Sequence, residues 1–245
     1  MIERTEAVVL KSQNWSETSR IVHAFTRHFG RMKFVARGAR RPKSKFGAAF
    51  EPGTISQVVF YRSRHADLHT ASEAAIVWRP KTGRHQLEPS YALAAGLEVA
   101  LKATPAEAPN LALFRNLSAF VRDIDACPGS KCPGLLLKFS LQSIKNLGYH
   151  PSLDRCVSCR AAVGRLRSGF SLEQGGLICH RCARQHRELA WLSPAQAAAL
   201  AGWQGAESLP DLGQADASRL VRLMLTFLGR QLADRTKLHC LRLLG

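Results

Sequence analysis

The stretch Thr54-Ile-Ser-Gln-Val-Val-Phe-Tyr61 decides the fold of the first third of the chain. It is dense in β-branched and aromatic residues, the composition that fits a pleated, half-buried surface, so it reads as a strand. Working outward, three shorter runs of the same kind precede it: Ala7–Leu10, Arg20–Phe25 and Met32–Ala36. Phe29-Gly30-Arg31 reads as the turn between the last two. Leu68–Trp78 follows as a fifth strand, although its alanines leave a helix open. Five short strands in about 80 residues predict a small barrel, and the five-stranded OB-fold is the candidate architecture.

Beyond Pro80 the periodicity changes from two to that of helices. Pro89–Ala103 places Tyr91, Leu93, Leu97 and Leu101 at helical spacing, with Pro89 in the first turn. Asn110–Asp123 carries Leu113, Leu117, Phe120 and Val121 on one face. Leu135–Leu147 is a third helix, closed by Gly148 as C-cap. The run 127–134 reads as a loop. Ser193-Pro194 combines an N-cap with Pro at the first helical position and opens a helix over 194–203. A last helix over 215–233 has the stripe Leu220, Leu223, Met224, Phe227 and Leu228. The expected fold class is therefore α+β: a barrel over residues 1–79, then a helical domain over 80–245 with a small cysteine module, 154–187, inserted in it.

That module rests on two CxxC pairs, Cys156-Val-Ser-Cys159 and Cys179-His-Arg-Cys182, separated by nineteen residues. Two thiolates three apart on a tight knuckle can face one ion, and two knuckles complete a tetrahedron; the spacing is that of a zinc site. Four thiolates fill the shell and leave no position for water, so the Zn2+ is expected to be structural. Gly175-Gly176 suits a chain reversal before the second knuckle. His180 and His186 lie close enough in sequence to substitute as ligands. Cys127, Cys132 and Cys240 have no metal spacing among themselves, and seven cysteines in all argue against a complete disulfide framework.

The charge is the second strong signal. The 245 residues hold 35 Lys+Arg against 18 Asp+Glu, a formal charge of +17, and 46% hydrophobic residues, enough for a core. So large a charge repels itself in a compact body and calls for a polyanionic partner, nucleic acid before an anionic membrane surface. The excess is concentrated in residues 31–45, RMKFVARGARRPKSK, where Arg31, Lys33, Arg37, Arg40, Arg41, Lys43 and Lys45 face no acid. Arg31, Lys33 and Arg37 alternate along a strand and its end, so they would share a face. The rest would sit on a loop made mobile by Gly38 and bent by Pro42. A rigid basic face beside an adaptable basic loop is a layout for gripping phosphates. Of the aromatics nearby, Trp15, Phe25, Phe29, Phe34 and Phe46, some could stack on bases, while Phe25 and Phe34 fit the barrel core better. Arg155, Arg160, Arg165, Arg167, Arg181, Arg184 and Arg187 form a second basic set around the cysteines.

Other classes find no support. No Walker A, GxSxG, HExxH or deaminase signature occurs, and no tight carboxylate cluster suggests a two-metal nuclease, so no enzyme is expected. No segment reaches the roughly 18 apolar residues of a spanning helix, and the first residues do not read as a signal peptide. A cytoplasmic chain with no membrane partner is the expectation. These residues alone leave open an RNA-binding zinc-ribbon and OB-fold factor, and a zinc-dependent enzyme.

The order of several fragments goes further. Ala7-Val8-Val9-Leu10 is followed by Ser16-Glu17-Thr18-Ser19-Arg20, Phe25-Thr26, Phe29-Gly30 and Val35-Ala36-Arg37-Gly38-Ala39-Arg40-Arg41. Then come Leu147-Gly148-Tyr149-His150-Pro151, Leu153-Asp154-Arg155-Cys156 and Gly175-Gly176-Leu177-Ile178-Cys179. With these the chain resembles the RecO recombination-mediator family over nearly its whole length. The resemblance implies an N-terminal OB-fold, a helical domain and a zinc-binding insertion. It implies binding of single- and double-stranded DNA, annealing of complementary strands, and work with RecR to load RecA onto DNA coated by single-strand-binding protein (SSB). RecA would be an indirect partner, and contact with SSB varies among members. The family's basic surface would fall here on Arg37, Arg40 and Arg41, with Lys43 and Lys45 adjacent.

Overall fold

The structure, a computed structural model, describes residues 1–63, 67–81, 87–163, 167–203, 212–232 and 238–242. Its contacts divide into two compact units, Met1–Cys132 and Pro133–Gly245.

In the first unit five strands close a barrel: β1 (Ile2–Asn14), β2 (Arg20–Thr26), β3 (Gly30–Ala36), β4 (Ile55–Tyr61) and β5 (Leu68–Trp78). The order around the barrel is β1-β2-β3-β5-β4, with β4 returning to β1. All pairs are antiparallel except β3 with β5. This is the OB-fold. Strict alternation makes it legible: along β3 every second residue, from Gly30 to Ala36, is buried. The interior holds Val9, Val22, Ala24, Met32, Phe34, Val58 and Phe60. The alanine-rich fifth segment is a strand because it is hydrogen-bonded on both edges, to β4 and to β3, and this pairing overrides its weak local preference.

Residues 37–54 connect β3 to β4 as consecutive turns. Ala39, Arg41, Ser44, Gly47 and Ala49 each donate a backbone N–H to the carbonyl three residues back. Phe46 and Phe50 enter the barrel core from this segment. The loop expected to be mobile is thus folded back on itself and anchored by two aromatic rings, with Gly38 supplying a positive φ of 76°.

Helices α1 (Leu87–Ala103) and α2 (Leu111–Asp125) belong to the same unit, and both contact β1. Val8 and Phe25, paired across β1 and β2, point away from the interior yet are fully buried. The buried face of α1 is wider than the one expected: Leu97 is buried and Leu93 and Leu101 are half-buried as predicted, but small residues make up most of it. Tyr91 is exposed, and the inward residues are Ala92, Ala95, Gly96, Leu97, Val99, Ala100 and Ala103. Small residues let another helix come close: a Cβ at Gly96 would collide with the Phe120 ring of α2. Helix α2 buries the predicted Leu113, Leu117, Phe120 and Val121, and Asn110 caps it by accepting from Leu113 N–H at 2.9 Å.

The second unit contains most of α3 (Cys132–Asn146), then α4 (Pro194–Gly202) and α5 (Gln214–Gln231). Cysteine 132 opens α3, so the second half of the expected 127–134 loop is helical, with Pro133 tolerated in a first turn that needs no donor there. Gly148 (φ 87°) ends the helix: its N–H reaches Lys145 O, and that of Tyr149 reaches Ile144 O, the paired bonds of a Schellman cap. Ser193 and Gln196 form a reciprocal capping box on α4. The α5 stripe is buried as predicted. Between α3 and α4 lies a three-stranded sheet of β6 (Ser168–Ser171), β7 (Gly176–Ile178) and β8 (Ala190–Leu192), with β6 central. No helix among the described residues is long and apolar enough to cross a membrane.

Candidate nucleic-acid face and metal centre

The strand register assembles a basic row that spacing alone did not show. Lys11 pairs with His23, and His23 with Lys33, so the three stand side by side on the outer face of β1, β2 and β3. A bulge between Val9 and Lys11 sets this register. Burial, then Lys33, Lys11 and Arg31, hold His23 below its ordinary pKa, as expected for an imidazole ringed by cations. Lys11 and His23 were missed because each is isolated in sequence.

The predicted basic residues take different roles. Arg31 is half-buried; its Nε donates to Thr104 O at 2.8 Å, and its own carbonyl accepts from Glu107 N–H at 2.9 Å. It ties the segment after α1 to the barrel. Lys33 lies within the open row. Arg37, Arg40, Arg41, Lys43 and Lys45 are exposed on the turns that follow β3. Arg40 also acts as a strap, its Nη1 donating to Ser16 O at 2.7 Å and its backbone N–H to Thr18 O at 3.0 Å. Lys45 lies 5.4 Å from the centre of the Phe46 ring. Arg37, Gly38 and Arg41 border a cleft of about 480 Å³ that also touches Trp15, Thr18, Val35 and Leu68.

The four predicted cysteines converge. The Sγ atoms of Cys156, Cys159, Cys179 and Cys182 all lie within 4.8 Å of one another. Cys159 Sγ and Cys179 Sγ are 3.7 Å apart, close to the edge of roughly 3.8 Å that a tetrahedron with bonds of about 2.3 Å requires. In the first knuckle, Arg160 N–H donates to Cys156 O and Cys156 N–H to Ala161 O. This tight reversal puts Arg160 at a φ of 63°. The second knuckle turns at Cys179, whose carbonyl accepts from Ala183 N–H at 3.0 Å. Cys179 N–H donates to Cys156 Sγ at 3.3 Å. Burial raises the Cys156 pKa, but N–H donors of Cys179, Cys159 and Ser158 outweigh it and bring the thiol down to about 6. The opposite holds at Cys182, pushed up to about 12 mainly by its contacts with the Cys159 and Cys179 thiols. Soft donors, near-tetrahedral spacing and backbone N–H groups donating to sulfur fit a metal ion. His186 is engaged elsewhere, its Nε2 lying 3.2 Å from Ser158 Oγ. Neither it nor His180 joins the sulfur cluster.

Around the sulfurs, Cys156, Ile178, Cys179 and Ala183 form a small core with Val157, Val163 and Leu189. Of the arginines expected there, Arg167 stacks at 4.7 Å on Trp191, and Arg165 lies outside the described residues.

Comparison with known proteins agrees with both halves. The family described as "Recombination protein O N terminal" matches residues 1–78, and "Recombination protein O C terminal" matches residues 84–239. The "DNA repair protein RecO" of Prosthecochloris aestuarii is 30% identical over 158 residues, 64% of this chain and 59% of that protein. That of Chlorobium phaeobacteroides is 32% identical over 66% of this chain and 62% of its own length. The similarity thus spans about three fifths of these two relatives. That of an Anaeromyxobacter strain is 32% identical over 247 residues, 96% of this chain and 95% of its own. The chain belongs to the RecO family of DNA repair proteins.

Proposed function

We propose that the chain is a recombination mediator that binds single- and double-stranded DNA through the basic face of its barrel and anneals complementary strands. With RecR it promotes loading of RecA onto SSB-coated DNA. The observation that carries this reading is the continuity of the Lys11–His23–Lys33 row with the turns bearing Arg37, Arg40, Arg41, Lys43 and Lys45, on an OB-fold of a RecO-family chain. Neutralising phosphates releases counterions and lowers repulsion between two polyanions, and both binding and annealing need this. No covalent chemistry is required, and the protein acts without being an enzyme, among the DNA of the cytoplasm. The metal is Zn2+, held by Cys156, Cys159, Cys179 and Cys182. Four thiolates close its shell, so it supplies structure.

The decisive experiment is strand annealing on SSB-coated DNA, with and without RecR. Acceleration by the protein is the expected result; no stimulation in either condition overturns the mediator reading. X-ray absorption at the zinc edge should show four sulfurs, and a first shell containing water would return the site to catalysis.

A further inference from the structure

Trp15 is the most exposed of the four tryptophans, at 62%, while Phe25, Phe34 and Phe46 are buried at 3% or less. Exposing an indole gains nothing for folding. Nor is it on a loose tip. Trp15 N–H and Ser16 N–H both point to Ser19 O, at 3.0 and 3.5 Å, and Ser19 N–H returns to Ser16 Oγ at 3.2 Å. The Arg40 strap then fastens this β1–β2 tip to the basic turns. The ring is therefore held beside the cleft that Arg37 and Arg41 border, with Val35 and Leu68 among its apolar lining. At about 480 Å³ the cleft falls within the roughly 300–1,000 Å³ of small-ligand sites.

Building on the DNA-binding reading, we infer that this cleft is a subsite for one unstacked nucleobase, with Trp15 as its stacking platform and Arg37 and Arg41 holding the adjoining phosphates. An apolar wall with a cationic rim matches a base, which has two π-faces, and the charged backbone beside it. Duplex cannot use the site, because its base faces are already stacked on one another. The barrel consequently prefers single strands, with little regard to sequence, since every base has a π-face.

The test uses the full, metal-loaded chain and three labelled ligands of about 15 nucleotides: oligothymidine, a duplex, and an oligomer of abasic nucleotides. Trp15→Ala should weaken oligothymidine binding roughly 5- to 150-fold, the value of one stacked base, and change the other two less than about twofold. Trp15→Phe should stay within about threefold of wild type, because a phenyl ring still stacks. Equal losses on all three ligands, a Phe variant as weak as the Ala variant, or an Ala variant that binds oligothymidine like wild type would each overturn the subsite. If wild type binds none of the three, the DNA-binding reading falls with it. If wild type binds and Trp15→Ala changes nothing, only the stacking inference is lost.

Discussion

Arg31 and Lys33 stand two residues apart on the same face of β3, yet the packing around them assigns them different work. Arg31 Nε is committed to Thr104 O, inside the unit, whereas Lys33 faces outward beside His23. Arg31→Ala should therefore cost stability, about 1–3 kcal/mol for a charged hydrogen bond at a half-buried site, and leave DNA affinity within about twofold. Arg37→Ala and Arg41→Ala should do the reverse. Thermal melts paired with fluorescence anisotropy separate the cases. His23 makes a pH prediction. Its folded pKa is lowered below 6.5, so the unfolded chain binds the extra proton first. Its contribution to stability is full above pH 6.5 and is lost as pH falls below that value toward the folded pKa. A phosphate beside the ring raises that pKa, so DNA binding near pH 6 should take up protons. Calorimetry in two buffers of different ionisation enthalpy should detect the uptake, and His23→Gln should abolish its share. Arg31 shows how far sequence reaches at this scale. Alternation gave its face correctly, but the partner is 73 residues away, and no local pattern encodes that contact.

Elements with strong local patterns were legible: the first four barrel strands, and the buried faces of α2 and α5, follow from composition and periodicity, while the fifth strand was decided only by its pairing to β3 and β4. The buried face of α1 was legible only in part: Leu97 is buried, but Tyr91 is exposed and the small residues that fill the face were not read. Large apolar residues dominated the pattern, whereas close approach to α2 selects Ala and Gly. Strands β6, β7 and β8, of three or four residues each, were also beyond reach, since so short a run carries no period. Their order depends instead on the knuckles. Ser152 N–H and Leu177 N–H clip the chain ahead of the first knuckle to the strand leading into the second, through Gly175 O and Ser152 O. The core around Cys156 and Cys179 is only a handful of side chains, among them Ile178, Ala183, Val157 and Leu189. Knuckles with so small a core of their own would take much of their folding free energy from a bound metal. Cys156→Ser should reduce bound zinc from about one per chain to near none and lower the melting temperature. Affinity for single-stranded DNA, measured below that melt, should hold within about threefold. Metal analysis beside a melting curve checks this, and a variant as stable as wild type would show that the module folds without its ion.

Across the whole molecule the positive charge is not confined to the barrel. Residues 1–132 hold 20 Lys+Arg against 11 Asp+Glu, and residues 133–245 hold 15 against 7. Net charge alone therefore cannot say which unit meets DNA; the salt dependence of binding can. Each phosphate neutralised on a single strand contributes about 0.7 to the slope of log K against log salt. Arg40 is a poor probe, because changing it also removes the Nη1 bond to Ser16 O that helps hold the β1–β2 tip to the basic turns. Arg37, Arg41 and Lys43 are exposed and lack that second duty, so reversing these three to Glu should reduce the slope by about 2. Reversing Arg181, Arg184 and Arg187 beside the second knuckle removes the same number of charges from the other unit. If the barrel carries the binding, that variant should lose less than about 1 in slope, although its net charge falls equally. Matching losses would mean that the strand is neutralised by both units, and that the excess charge of residues 133–245 serves the same polyanion.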